Sequence, residues 1–116
     1  MSLLLVTCPF PDEAQAFAAA KAAVEAGLAA CCQVGAPVHS VYQWQGKLER
    51  AEEVPLISKT TEAAWPRLEA FLKKRHPYET PEIIAVPVTH GLPAYLAWVG
   101  DNTVLADDAD DCGMAH

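Results

Sequence analysis

The run His76-Pro77-Tyr78-Glu79-Thr80-Pro81-Glu82-Ile83-Ile84-Ala85-Val86-Pro87-Val88 decides how this chain is read. Pro77 and Pro81 exclude a helix and push the residues before them into extended conformations. Ile83 to Val88 then reads as a strand. Pro87 inside it cannot donate a ladder hydrogen bond, which places that strand at a sheet edge. His76, Tyr78, Glu79 and Glu82 sit just ahead of the edge, where chemistry and assembly can meet.

Working outward, the residues before His76 predict a helix from about Ala64 to Arg75. Pro66 falls in its first turn, and Trp65, Leu68, Phe71 and Leu72 form its apolar face. Val54 to Thr61 reads as a strand. It returns from Val38 to Trp44 through the turn signal Gln45-Gly46-Lys47, so the pair reads as a long hairpin. Near the N-terminus, Leu3 to Thr7 is a short apolar run closed by Pro9 and Pro11, as expected of a buried central strand. Asp12 with Gln15 three residues on resembles a capping box. It opens an alanine-rich helix expected to reach about Ala30, with Phe17, Ala20, Val24 and Leu28 on its apolar face. Beyond the edge strand, Pro93 to Val99 reads as a short closing helix.

The predicted order is β-α-β-β-α-β plus a short C-terminal helix. That is the split βαβ, ferredoxin-like arrangement of an α+β sandwich, with two helices on one face of a four-stranded antiparallel sheet. Val38, Tyr42 and Trp44 are too apolar to leave in water on an extended hairpin, so the pattern also predicts self-association. The length of 116 residues fits one domain, read as residues 1–105. Residues 106–116 read as an acidic, disordered tail.

Charge placement narrows the function. The net charge is −7, yet residues 1–75 balance eight acids against all eight bases. Every ionised side chain after Arg75 is acidic, including Asp101, Asp107, Asp108, Asp110 and Asp111. With no basic patch, nucleic acid is not expected as a partner. No apolar run is long enough to cross a bilayer, and no signal peptide is evident, so a cytoplasmic, membrane-free protein is expected. In such a compartment Cys8, Cys31, Cys32 and Cys112 read as free thiols or metal ligands rather than disulfides.

The chain resembles the CutA divalent-cation tolerance family over about residues 3–100. The matching pieces are Cys8 with Pro11-Asp12-Glu13, Leu28-Ala29-Ala30-Cys31, Tyr42-Gln43-Trp44-Gln45-Gly46-Lys47, Lys59-Thr60-Thr61, the His76 to Ile83 run, and Tyr95-Leu96-Ala97-Trp98. The resemblance implies a ferredoxin-like homotrimer linked to copper and divalent-metal tolerance, with no defining catalytic activity. It also implies a copper site built from Cys8 and His76. The first histidine position of the family's pair is Arg75 here, and Ala36-Pro37 stands where the family often has Pro-Gly.

Read as chemistry, a thiolate and an imidazole together suit copper or zinc. Cys8 alone reads first as a small buried thiol at a strand end. Cys31 and Cys32 point to opposite faces, one of them into the core. Tyr78, Glu79 and Glu82 could line a pocket between subunits or belong to a loop bonded to itself, and Lys59 could meet an acid, an anion or water. His39 and His90 read as surface or rim residues. Asp107 to Asp111, with Cys112 and His116, lack the distal glutamate of a calcium loop. No Gly-x-Ser-x-Gly, phosphate-cradling glycine loop or His-Glu-x-x-His is present, so no catalytic or cofactor-binding residue is assigned. The alternative function is a trimeric module resembling PII-type proteins, taking a small anion between subunits.

Overall fold

A computed structural model describes residues 2–104, so the tail reading lies outside the described residues. Strand β1 (Leu3–Phe10) leads into helix α1 (Glu13–Glu25), then β2 (Cys31–Val34), β3 (Val38–Trp44) and β4 (Lys47–Thr61). Helix α2 (Trp65–Arg75), β5 (Ile84–Pro87) and helix α3 (Pro93–Asp101) complete the order. All pairings are antiparallel, in the order β2-β4-β1-β5, with β3 also paired to β4. This is the expected ferredoxin-like sandwich with its second strand broken in two. The break falls at Gly35-Ala36-Pro37, and both pieces pair with the single 15-residue β4.

Two prolines face each other across the central strands, Pro9 opposite Pro55. Within an antiparallel strand a residue's N–H and C=O point to the same side. Gly35 N–H donates to Pro55 O at 2.9 Å, so the Pro55 backbone faces β2 and not β1. Pro9 faces the other way, toward the line of β5. Neither missing N–H therefore breaks the β1–β4 ladder, which is how two prolines survive inside central strands. The β5 edge agrees with the reading of Pro87, which lies opposite Leu4.

Helix α1 starts as the sequence suggests. Asp12 accepts from the Gln15 N–H at 2.8 Å, and this bond holds its carboxyl below the usual range. The helix ends five residues earlier than predicted. Gly27 adopts φ 73°, Gly27 N–H bonds Val24 O, and Leu28 N–H bonds Ala23 O. These paired bonds around a left-handed glycine form a Schellman stop. A side chain at Gly27 would also meet the Val104 Cγ2 at 2.2 Å.

The apolar face predicted for α1 holds at Ala20 but fails at Phe17 and Val24. The buried residues are Ala16, Ala19, Ala20 and Ala23, while Phe17 is 62% exposed and Val24 42%. Small side chains let the helix lie close against the sheet, where Val6, Cys8, Phe10 and Leu56 fill the space. Leu28 is buried, but from the loop beyond the helix. Helix α2 behaves as read: Leu68 and Leu72 are fully buried, and Trp65 and Phe71 pack at the core margin.

Helix α3 packs on the opposite face of the sheet, where Val99 meets Leu3 and Ala30. It covers only one end of that face. Ile84 and Val86, opposite Thr7 and Leu5, remain about half exposed. The β3–β4 ribbon runs beyond the helices and turns at Gln45 (φ 51°) and Gly46 (φ 80°), the two positive dihedrals of a type I′ hairpin.

Candidate functional site

The end of β1 brings the two candidate metal donors into one layer. Cys8 and Phe10 alternate onto the helix-covered face, and the His76 ring stacks on Phe10 with centroids 4.6 Å apart. His76 ends α2, where Pro77 stops the helix and directs the ring back toward β1. Both ring nitrogens are engaged. Nδ1 accepts from Tyr78 N–H at 3.2 Å, so Nε2 carries the hydrogen and donates to Pro9 O at 2.6 Å. That carbonyl faces the side where β5 has not yet begun, since Thr7 pairs with Ile84 and the chain ahead of Ile84 leaves the sheet. His76 takes the place of the missing strand partner.

Cys8 is buried, and its thiol is pushed up to about 12, first by desolvation and then by the charges of Glu82 and Glu53. At neutral pH it is a protonated core thiol. A metal ion fits here only after His76 releases a ring nitrogen and Cys8 loses its proton. Arg75 adds a positive charge next in the chain, its guanidinium 5.1 Å over the Phe71 ring. Among the described residues, no group of three or more His, Cys, Asp or Glu side chains converges as a metal shell.

A second feature is a groove of about 620 Å³ beside this layer. Tyr42 and Trp44 of β3 form one wall, with Glu53 of β4 on the same face of the ribbon. The loop ahead of β5 closes it with Tyr78, Glu79 and Glu82. Glu53 is 8% exposed, and the other two carboxylates sit at the open rim. Burial raises the Tyr78 phenol, with Glu53 and Tyr42 as neighbours that push the same way. Of these residues, Glu53 alone escaped the sequence reading. Its alternation with Tyr42 and Trp44 was hidden because the returning strand was started at Val54, just past Glu53, whereas β4 begins at Lys47.

The remaining candidates are placed as follows. Cys32 packs at the core margin with Sγ 3.3 Å from Ser58 Oγ, while Cys31 is half-buried on the other face, so one thiol of the pair does face the core. Desolvation raises the Cys32 thiol. Lys59 hydrogen-bonds Gln33 on the neighbouring strand rather than an acid of the groove. His39 is exposed, and exposed His90 contacts Thr89.

These features define a class: a ferredoxin-like α+β domain with an overlong hairpin, a histidine-locked strand end and an aromatic-acid groove. The chain matches the model of the CutA1 divalent ion tolerance protein family over residues 3–102, and it belongs to that family. It is 41% identical over 101 residues to the divalent-cation tolerance protein CutA of Thermus thermophilus, covering 87% of this chain and 96% of that protein. An Escherichia coli divalent-cation tolerance protein CutA is 44% identical over 96 residues, covering 83% of this chain and 86% of the relative. The crystal structure of CutA1 from Oryza sativa superposes with a TM-score of 0.87 at 32% identity, covering 90% of this chain and 95% of that one.

Proposed function

We propose that this chain is a non-enzymatic cytoplasmic protein of divalent-metal tolerance, a homotrimer that takes copper or a similar divalent cation only weakly through Cys8 and His76. Family membership supports the tolerance role. The observation that carries the weak-binding reading is the His76 ring locked onto the carbonyl of Pro9, the residue after Cys8. A cation there must break a ring hydrogen bond worth about 1 kcal/mol net, and it must also ionise a thiol held near 12. The protonated thiol also supports the non-enzymatic reading, since a nucleophile needs the thiolate. The trimer is supported by the apolar side chains left half-exposed on the open sheet face and on the ribbon, Ile84, Val86, Tyr42 and Trp44 among them.

Calorimetric titration of the reduced protein with copper tests the site. Weak binding is expected, falling at least tenfold in Cys8→Ser, where a soft donor becomes a poor one. Unchanged affinity in that variant removes Cys8 from the assignment. Light scattering tests the assembly, with three copies of a 12.5 kDa chain expected. A stable monomer at micromolar concentration sinks it. The PII-like alternative has less support, because the groove presents carboxylates and no basic side chain to an incoming anion.

A further inference from the structure

We propose that the acidic segment at residues 107–111 folds back onto helix α2 and supplies the counter-ion of Arg67. The point where the chain leaves the fold is fixed. Val104 N–H donates to Gly27 O at 2.8 Å, and Val104 O accepts from Arg67 Nη2 at 2.8 Å. The residues that follow therefore start at the guanidinium itself. Two observations on α2 call for an anion there. Arg67 Nε is buried without a hydrogen-bond partner, and no carboxylate among the described residues forms an ion pair with Arg67. A buried donor left unpaired is costly, more so when the group is charged. Arg67 also lies in the first turn of α2, which carries no acidic side chain, and the N-cap Ala64 contributes no side-chain hydrogen bond. The positive end of the helix dipole is thus uncompensated as well. One carboxylate beside Arg67 answers both.

Charge and reach choose the occupant. Four of the chain's eight bases lie on α2, at Arg67, Lys73, Lys74 and Arg75. Arg67, Phe71, Lys74 and Arg75 follow one another at helical spacing and share one stripe, with the Arg75 guanidinium 5.1 Å over the Phe71 ring. Arg67 and Lys74 are about 10 Å apart along the helix axis. Asp107 stands three residues beyond Val104, within about 10 Å of the anchored carbonyl, and residues 107–111 extend to about 13 Å, enough to follow the stripe. Successive side chains of an extended chain alternate, so either Asp107 or Asp108 faces Arg67 whichever way the segment rolls. The stripe lies on the helix-covered side of the sheet, away from the apolar surfaces assigned to the interface between copies. The family match ends at residue 102, so this pairing is a property of the chain's own continuation.

The test is nuclear magnetic resonance on the full chain, nitrogen-15 labelled, as it assembles in solution. Exchange of the Arg67 Nε–H with water is compared between the unmodified chain and one carrying Asp107→Asn and Asp108→Asn together. At least threefold faster exchange is expected in the double variant. The heteronuclear NOE of the Ala106 amide should fall with it, while the Val104 amide keeps its shift. Lys73→Gln, which lies off the stripe, should change neither signal. Arg67→Gln should lower the NOE of the amides at 106–108; should that variant fail to fold, the two tail substitutions decide alone. Arg67 exchange unaffected by the double substitution overturns the inference, whether a carboxylate of a neighbouring copy or a buffer anion then holds the guanidinium. It also falls if, in the unmodified chain, the NOE values at 106–111 are already those of a fully solvated tail.

Discussion

Replacing His76 by phenylalanine separates what the ring holds from how it packs. Phenylalanine keeps the aromatic stack on Phe10 but removes both nitrogens. Pro9 O loses its 2.6 Å donor and Tyr78 N–H its 3.2 Å acceptor. A buried polar group left without a partner costs about 1–3 kcal/mol. Pro9 O carries the larger share, because it lies in the buried layer beyond the end of β5. Tyr78 is 38% exposed, so its N–H can turn to water. The sum worked from these two sites is about 2–3 kcal/mol of destabilisation per subunit. Equilibrium unfolding in guanidinium, with wild type and His76→Phe at one protein concentration, measures it without confusing stability with mass action. A loss below about 0.5 kcal/mol would refute the view that His76 closes the ladder after Pro9.

Three further outcomes follow from the packing. Gly27→Ala should destabilise by about 1–3 kcal/mol, since it places a Cβ at positive φ and against Val104; a neutral effect on the melting temperature contradicts the Schellman stop. Leu68→Ala should remove about 2–5 kcal/mol as a cavity mutation in the fully buried α2 seam, read by chemical denaturation; a loss under 1 kcal/mol means the seam is not the core. The Cys8 thiol is raised from 9.0 in the open chain to about 12 when folded, so the native state keeps a proton that the unfolded state gives up. Stability should therefore fall as pH rises from about 9 toward 12, and Cys8→Ala should flatten that slope; a slope unchanged in the variant refutes it.

The architecture was legible because its punctuation is chemical. Prolines at 77, 81 and 87 fixed the edge strand, Asp12 fixed a helix start, and Gln45-Gly46 fixed the hairpin. The burial face of α1 was misread because the largest apolar residues were assumed to point inward. In this helix alanines make the contact, and Phe17 is left outside. The early stop of α1 was hidden in Gly27, which helical periodicity tolerates but the left-handed backbone uses. The short β2 was missed for the same reason, since the helix was drawn through to its threshold. At the site, Cys8 and His76 were found as residues but not as bonding states. Whether a ring nitrogen is free depends on a backbone carbonyl 67 positions away, which no local pattern encodes.

Strand β4 has a consequence for how the chain is born. It is the common partner of β1, β2 and β3, and β1's other partner, β5, comes later still. Among the described residues, no two strands ahead of Lys47 pair with one another. On the ribosome, therefore, α1 can coil but no sheet can zip until Lys47–Thr61 has been synthesised and cleared the exit tunnel. Up to that moment the apolar Leu3–Phe10 segment waits without a partner, and the speed at which β4 emerges sets how long it is open to aggregation.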